Sequence, residues 1–253
     1  VEASAKNDKR RRGNHQDYLQ VEMSYFVTGT DTGVGKTLIS CALLHKFSAQ
    51  GRRTVGMKPI AAGCDAEGHN EDALQLLAAG NVAVGYGSIN PYCLQHEIAP
   101  HIAAQRAGVL IGLSVIAKSY QKLAAQADVV IVEGVGGLLV PINERQDCAD
   151  LVRELGLPVI LVVGMRLGCL NHALLTAEAI ASRGLALAGW VANVIDADMA
   201  AVEENIAALQ QRIAAPLLGI VPYMTQPDVH VAAGRLDLNR LLSASARSRP
   251  AVS

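Results

Sequence analysis

The feature that most narrows the fold of this chain is an alternation: short apolar, β-branched runs are followed repeatedly by longer segments of helical period. Residues 25–28 form the first such run, and a helix is expected over 36–50, with Ile39, Leu43 and Phe47 on one stripe and Gly51 as its C-terminal stop. Further strands are expected at 54–57, 129–132, 159–163, 187–192 and 217–221. Helices are expected at 71–79, 114–126, 171–182 and 199–213, with a weaker one at the end. Residues 81–108, punctuated by Gly85, Gly87, Pro91 and Pro100, are left unassigned. Runs that are apolar on both faces suit a buried parallel sheet, so the fold class is α/β, a mostly parallel sheet flanked by helices on both faces.

At roughly 150 residues per domain, 253 residues allow one domain or two. No linker or repeat interrupts 23–242, which favours one. Residues 1–22 carry Lys6, Lys9, Arg10, Arg11 and Arg12 with little to bury and no apolar signal-like stretch, and read as a disordered basic extension upstream of a domain starting near Met23. Residues 243–253 read as a disordered tail. A net charge of −1 gives no field to draw in nucleic acid or an anionic membrane. The longest apolar run, 158–170, is broken by Arg166 and is shorter than the roughly 18 residues of a membrane span. The five cysteines, Cys41, Cys64, Cys93, Cys148 and Cys169, form no CxxC pair and read as reduced, packed thiols of a cytoplasmic protein.

The strongest local signal is Gly29-Thr30-Asp31-Thr32-Gly33-Val34-Gly35-Lys36-Thr37, between a strand and a helix. Small residues there let successive backbone N–H groups face an anion, and the helix start adds its positive end. Lys36 can meet outer phosphates and Thr37 can hold Mg²⁺. The common GxxxxGK[ST] spacing would place the first Gly at 30, where this chain has Thr30; its Gly is one residue earlier. Glu133 follows the buried run 129–132 and precedes Gly134-Val135-Gly136-Gly137, where it could serve a metal or end the strand in solvent. Asp72 shares a polar stretch with Asp65, Glu67 and Glu71, and spacing alone does not choose among them. Lys58 ends the second strand, open to a catalytic role or to an ordinary solvent-facing one. Asn193 and Pro222 close later strands on the same rim.

Taken together, YFVTGTDTGVGKT (25–37), GMKPIAAG (56–63), VEGVGG (132–137), PVILVVGMRLGCLNHALLTA (158–177), GWVAN (189–193) and APLLGIVP (215–222) resemble the dethiobiotin synthetases, single-domain P-loop NTPases of biotin synthesis. The longer phosphate loop is that family's own form. The resemblance implies that Gly33, Val34, Gly35, Lys36, Thr37 and Leu38 wrap the triphosphate of ATP, and that Gly134, Val135 and Gly136 lie beside it. Thr37, Asp72 and Glu133 would approach Mg²⁺, and Lys58, with Lys36, would be catalytic. Asn193, Val194, Pro222, Tyr223 and Met224 would hold adenine. Thr32, Ala62 and the segment Gly168, Cys169, Leu170, Asn171 would contact the diamine substrate, the last across a homodimer interface. A Ser or Thr often found at position 62 in this family is Ala62 here, and 225–228 match the family poorly.

The implied reaction takes 7,8-diaminononanoate, CO₂ or bicarbonate and ATP to dethiobiotin, ADP and phosphate through a carbamate that is phosphorylated and then closed by the neighbouring amine. Two other readings share the scaffold. An amide-forming ligase of the cobyrinate type would need a glutaminase segment, for which no nucleophile motif is found. A partner-regulated switch of the septum-placement kind would carry a Lys early in the loop, where this chain has Asp31.

Overall fold

All six expected strands pair into one parallel sheet in the computed structural model of the chain, which describes residues 23–247. The first half runs β1 (Tyr25–Gly29), α1 (Lys36–Ala49), β2 (Thr54–Met57), β3 (Ile60–Ala62), α2 (Glu71–Ala79), α3 (Tyr86–Ile89), β4 (Tyr92–Leu94), α4 (Pro100–Arg106) and α5 (Leu113–Ala124). The second half runs β5 (Val129–Gly137), α6 (Cys148–Leu155), β6 (Val159–Met165), α7 (Cys169–Ser182), β7 (Leu187–Val194), α8 (Val202–Arg212), β8 (Leu217–Val221), α9 (Val229–Arg235) and α10 (Leu238–Arg247). The sheet order is β2-β5-β1-β6-β7-β8, with β1 between β5 and β6. Its neighbours leave in opposite directions from β1, so the loop after that strand opens into the crevice where such sheets take ligands.

Period-two alternation along each strand builds two cores. Tyr25, Val27, Ile131, Ile160 and Val162 face α1, α9 and α10 with Leu43, Phe47 and Leu241. Phe26, Val130, Val132, Leu161, Val163 and Trp190 face the other way, towards Ile116, Val152, Ala173 and Leu209. Helix ends are set by local chemistry. Asn70 accepts a hydrogen bond from Ala73 N–H at the start of α2, and Asp147 and Asp150 form a reciprocal capping box on α6.

Several expectations change. β5 continues to Gly137, so Glu133 lies within a strand, fully buried, and does not end it in solvent. β7 likewise runs one residue past Asn193. Residues 81–108 resolve into α3, β4 and α4, and β4 pairs in parallel with β3 as a separate two-stranded ribbon. Helix α6 was not expected. Helix α10 carries the chain as regular structure to Arg247, into the segment read as a disordered tail, while 248–253 and the basic stretch 1–22 lie outside the described residues. No described helix is long and apolar enough to cross a membrane.

The cysteine expectation is corrected in part. Pairing of Ala62 with Leu94 brings the next turn alongside, and Cys64 and Cys93, 5.9 Å apart at Cα, form a disulfide. Cys41, Cys148 and Cys169 are buried free thiols, and burial pushes Cys41 and Cys148 up to about 12. A crosslink of this loop size contributes about 2–4 kcal/mol, or a melting shift of roughly 5–10 °C in a domain this large. Dithiothreitol is therefore expected to lower the calorimetric melting temperature by that amount and to have no effect on a Cys64→Ser/Cys93→Ser protein.

Candidate active site

The loop between β1 and α1 holds its shape through backbone conformations that a side chain would strain. Gly33 and Gly35 have φ of 72° and 87°. A Cβ on Gly35 would lie 2.2 Å from Asn193 Nδ2, which comes from the end of β7 and donates 2.9 Å to Val34 O. Val34 turns inward and is buried, whereas Thr32 and Gly33 face out. Lys36 Nζ folds back to donate 2.9 Å to Asp31 O. Burial, and next the charge of Lys58, hold the Lys36 ammonium below the usual lysine value, against the pull of Glu133, Asp72 and Asp31.

Four side chains, from α1, α2, β5 and the link after β2, meet beneath this loop. Thr37 Oγ1 donates 2.9 Å to Glu133 Oε1. Lys58 Nζ donates to the same oxygen at 2.5 Å and to Asp72 Oδ2 at 2.8 Å. Lys58 is 4% exposed and Glu133 fully buried. Burial works against the Lys58 ammonium, but Glu133 and Asp72 outweigh it and hold its pKa above the ordinary lysine value. Asp72 is raised by burial and lowered more by Lys58, so it stays below the usual carboxylate range. Asn90 Nδ2 donates 2.6 Å to Lys58 O and Lys58 N donates 2.8 Å to Ile89 O, which fixes the backbone that delivers the lysine. Asn70 caps α2 and so aims Asp72, which is two residues further on.

These groups open onto a cavity of about 730 Å³. Of the residues expected at the site, Thr32, Gly33, Gly35, Lys36, Thr37, Lys58, Ala62, Asp72, Glu133, Val135 and Gly136 line it. Val34, Gly134, Asn193 and Cys169 are buried and do not line it, nor do Leu38, Leu170, Val194, Pro222, Tyr223, Met224, Gly168 and Asn171. The side chain of Cys169 packs in the core, so any contact it makes is through its backbone. Asn70, Glu97, Ile98, Ala99, Pro100 and Val140 complete the wall and were missed, because most belong to the stretch that sequence left unassigned. Asp228, in the stretch that matches the family poorly, caps α9 by accepting from His230 and Val231 N–H.

The donor set suits Mg²⁺. Glu133 Oε2 is buried with no hydrogen-bond partner, while Thr37 Oγ1 bonds the other oxygen of the same carboxylate and Lys58 Nζ links that oxygen to Asp72. No group of three or more His, Cys, Asp or Glu ligands occurs among the described residues. Two carboxylates and a hydroxyl are what a cation that keeps waters and shares phosphate oxygens requires.

A family model described as an AAA domain matches residues 23–229. The ATP-dependent dethiobiotin synthetase BioD of Nitrosospira multiformis is 56% identical over 217 residues, covering 86% of this chain and 96% of the relative. The protein of the same name from Ralstonia nicotianae is 51% identical over 228 residues, covering 89% of this chain and all of the relative. Among solved structures, the signal recognition particle receptor FtsY of Elizabethkingia anophelis with GDP superposes at TM-score 0.51 and 17% identity, covering 94% of this chain and 67% of that one. The MinC:MinD cell division complex of Aquifex aeolicus gives 0.51 at 13%, covering 91% and 98%, so both share the P-loop fold alone. Identity above one half over nearly the full length of the relatives, with the strand–loop–helix phosphate site in place, makes this chain a member of the ATP-dependent dethiobiotin synthetase family.

Proposed function

We propose that the chain closes the urea ring of dethiobiotin from 7,8-diaminononanoate, CO₂ and ATP, releasing ADP and phosphate. The observation that carries this reading is Lys58 Nζ held between Glu133 and Asp72 while Thr37 of the phosphate loop donates to the same Glu133 oxygen. One amine of the substrate takes up CO₂ as a carbamate and loses a proton. A carbamate oxygen attacks the γ-phosphorus, ADP leaves, and the second amine then attacks the carbonyl carbon, expels phosphate and gives up a proton to solvent. Phosphoryl transfer asks the protein chiefly for position and for positive charge where negative charge develops. Lys58 and Lys36, both facing the cavity, supply it. Thr37, Asp72 and Glu133 would hold Mg²⁺, which neutralises phosphate charge when bound. Ring closure is intramolecular, so a wall that orients the second amine contributes to rate without a covalent nucleophile.

In the same proposal Asn193, Val194 and the Pro222–Tyr223–Met224 segment flank adenine. The start of α7, with Gly168 and Asn171 exposed and Leu167 96% exposed, reaches the substrate of a second copy in a homodimer. A cytoplasmic location goes with this metabolism, with the Cys64–Cys93 disulfide as a feature that such a compartment would tend to reduce.

The direct test supplies ATP, Mg²⁺, bicarbonate and the diamine. Dethiobiotin and ADP are expected in equal amounts, and hydrolysis that ignores the diamine but responds to a protein partner would replace this reading with a switch. Lys58→Gln, which keeps a donor for buried Glu133, is expected to bind ATP normally and to lose about tenfold or more in kcat, at least ~1.4 kcal/mol of barrier. Near-normal turnover would remove Lys58 from the chemistry.

The pH dependence follows from the two lysines. Lys36 is held below the ordinary lysine value in the free protein, so kcat/KM for ATP is expected to fall as pH rises through a value under 10.5. Lys58 is held above that value and stays cationic throughout that range. An alkaline limb that is unchanged in Lys36→Arg would assign it to another group.

A further inference from the structure

The phosphate loop carries an acid where it should be least welcome. Asp31 is two residues before Gly33 and five before Lys36, in a loop whose backbone N–H groups and lysine are arranged for an anion. A carboxylate there repels a bound triphosphate unless its charge is balanced. Neither the family assignment nor the proposed chemistry uses Asp31, and Arg166 is equally unused.

The structure brings these two residues together. Arg166 Nη2 donates 2.5 Å to Asp31 Oδ2 across 135 positions of sequence. The other carboxylate oxygen, Oδ1, accepts 2.7 Å from Thr32 N–H, and Asp31 O accepts from Lys36 Nζ. Arg166 follows the last residue of β6, the strand beside β1, and its carbonyl accepts from Cys169 N–H at the first residue of α7. The side chains of the pair are 42% and 47% exposed, and an ion pair so open to water contributes little to folding stability. Its position therefore has to be explained by what it does to the loop.

We propose that Arg166 is a positioning residue for ATP: it neutralises Asp31, so that Asp31 can shape the first turn of the phosphate loop without repelling the triphosphate. The Asp31 carboxylate makes two contacts, on Thr32 N–H and on Arg166, and its backbone carbonyl accepts a third, from Lys36 Nζ. Arg166 supplies the charge balance from a neighbouring strand, where it does not occupy the anion's own space. The same pair joins the nucleotide loop to the turn that starts α7, the segment proposed above to reach the diamine of a second copy. This inference rests on the reading of the loop as an ATP site.

The experiment measures Mg–ATP affinity by titration calorimetry, together with KM for ATP and for the diamine, in Arg166→Ala, Arg166→Lys, Asp31→Asn and the double variant Asp31→Asn/Arg166→Ala. Arg166→Ala is expected to weaken Mg–ATP about tenfold, as an unbalanced charge near the phosphates should, with an unchanged melting temperature and a smaller effect on diamine KM. Arg166→Lys is expected to restore affinity to within about threefold. The decisive arm is the double variant: with the carboxylate neutral the need for Arg166 goes, so it is expected to bind Mg–ATP more tightly than Arg166→Ala alone. A double variant as weak as Arg166→Ala, or Arg166→Ala with unchanged affinity, would overturn the proposal. Wild-type protein that fails to bind Mg–ATP at all would instead overturn the reading of the loop, so the two failures are distinct.

Discussion

The site depends on a buried ion pair that folding alone would not favour. Glu133 is wholly enclosed and Lys58 nearly so, and removing two such charges from water costs several kcal/mol each, which their mutual attraction need not recover. A pair of well-packed aliphatic side chains would serve the core as well. What the pair provides is a fixed cation with little exposure, within reach of a phosphate loop through the shared Glu133 oxygen. Among the described residues only one oxygen of Glu133 is hydrogen-bonded; the other is buried without a partner.

The sheet makes that arrangement possible. Because β1 lies between β5 and β6, the loop leaving it is flanked on one side by Glu133 and on the other by Arg166. A carboxylate stands on one side of the loop, and on the other a guanidinium pairs with Asp31. Behind the loop, Asn193 holds Val34 O from β7, so the loop is braced by a strand that contributes nothing to the cavity lining. The Cys64–Cys93 disulfide ties the end of β3 to β4, and Ala62, Glu97 and Ala99 near that link line the same cavity as the phosphate loop. The cavity thus combines the phosphate loop and its lysines with Ala62 of the ribbon and the segment that follows β4.

The parallel sheet was legible because its strands are buried on both faces, and a run such as 129–132 has few other ways to satisfy its backbone. The phosphate loop was legible because glycine, lysine and threonine must follow one another closely to wrap an anion. Glu133 was found for the right neighbourhood and the wrong reason, since the glycines after it belong to the same strand. The ribbon was not legible: three-residue strands flanked by proline carry no period, and the pairing of Cys64 with Cys93 depends on it. Helix α6 was overlooked although Asp147 and Asp150 stand at capping-box spacing. The Asp31–Arg166 contact has no local signature, because it is made by two strands meeting far from each other in sequence.

Glu133 is proposed to hold the lysine through one oxygen and a divalent cation through the other. Electron paramagnetic resonance of Mn²⁺ with ATP, comparing wild type with Glu133→Gln and with thermal melting as a check on folding, addresses it most directly. The folded variant is expected to keep nucleotide binding but to lose about tenfold or more in Mn²⁺ affinity, the equivalent of ~1.4 kcal/mol. Wild-type Mn²⁺ affinity in a folded Glu133→Gln protein would contradict it.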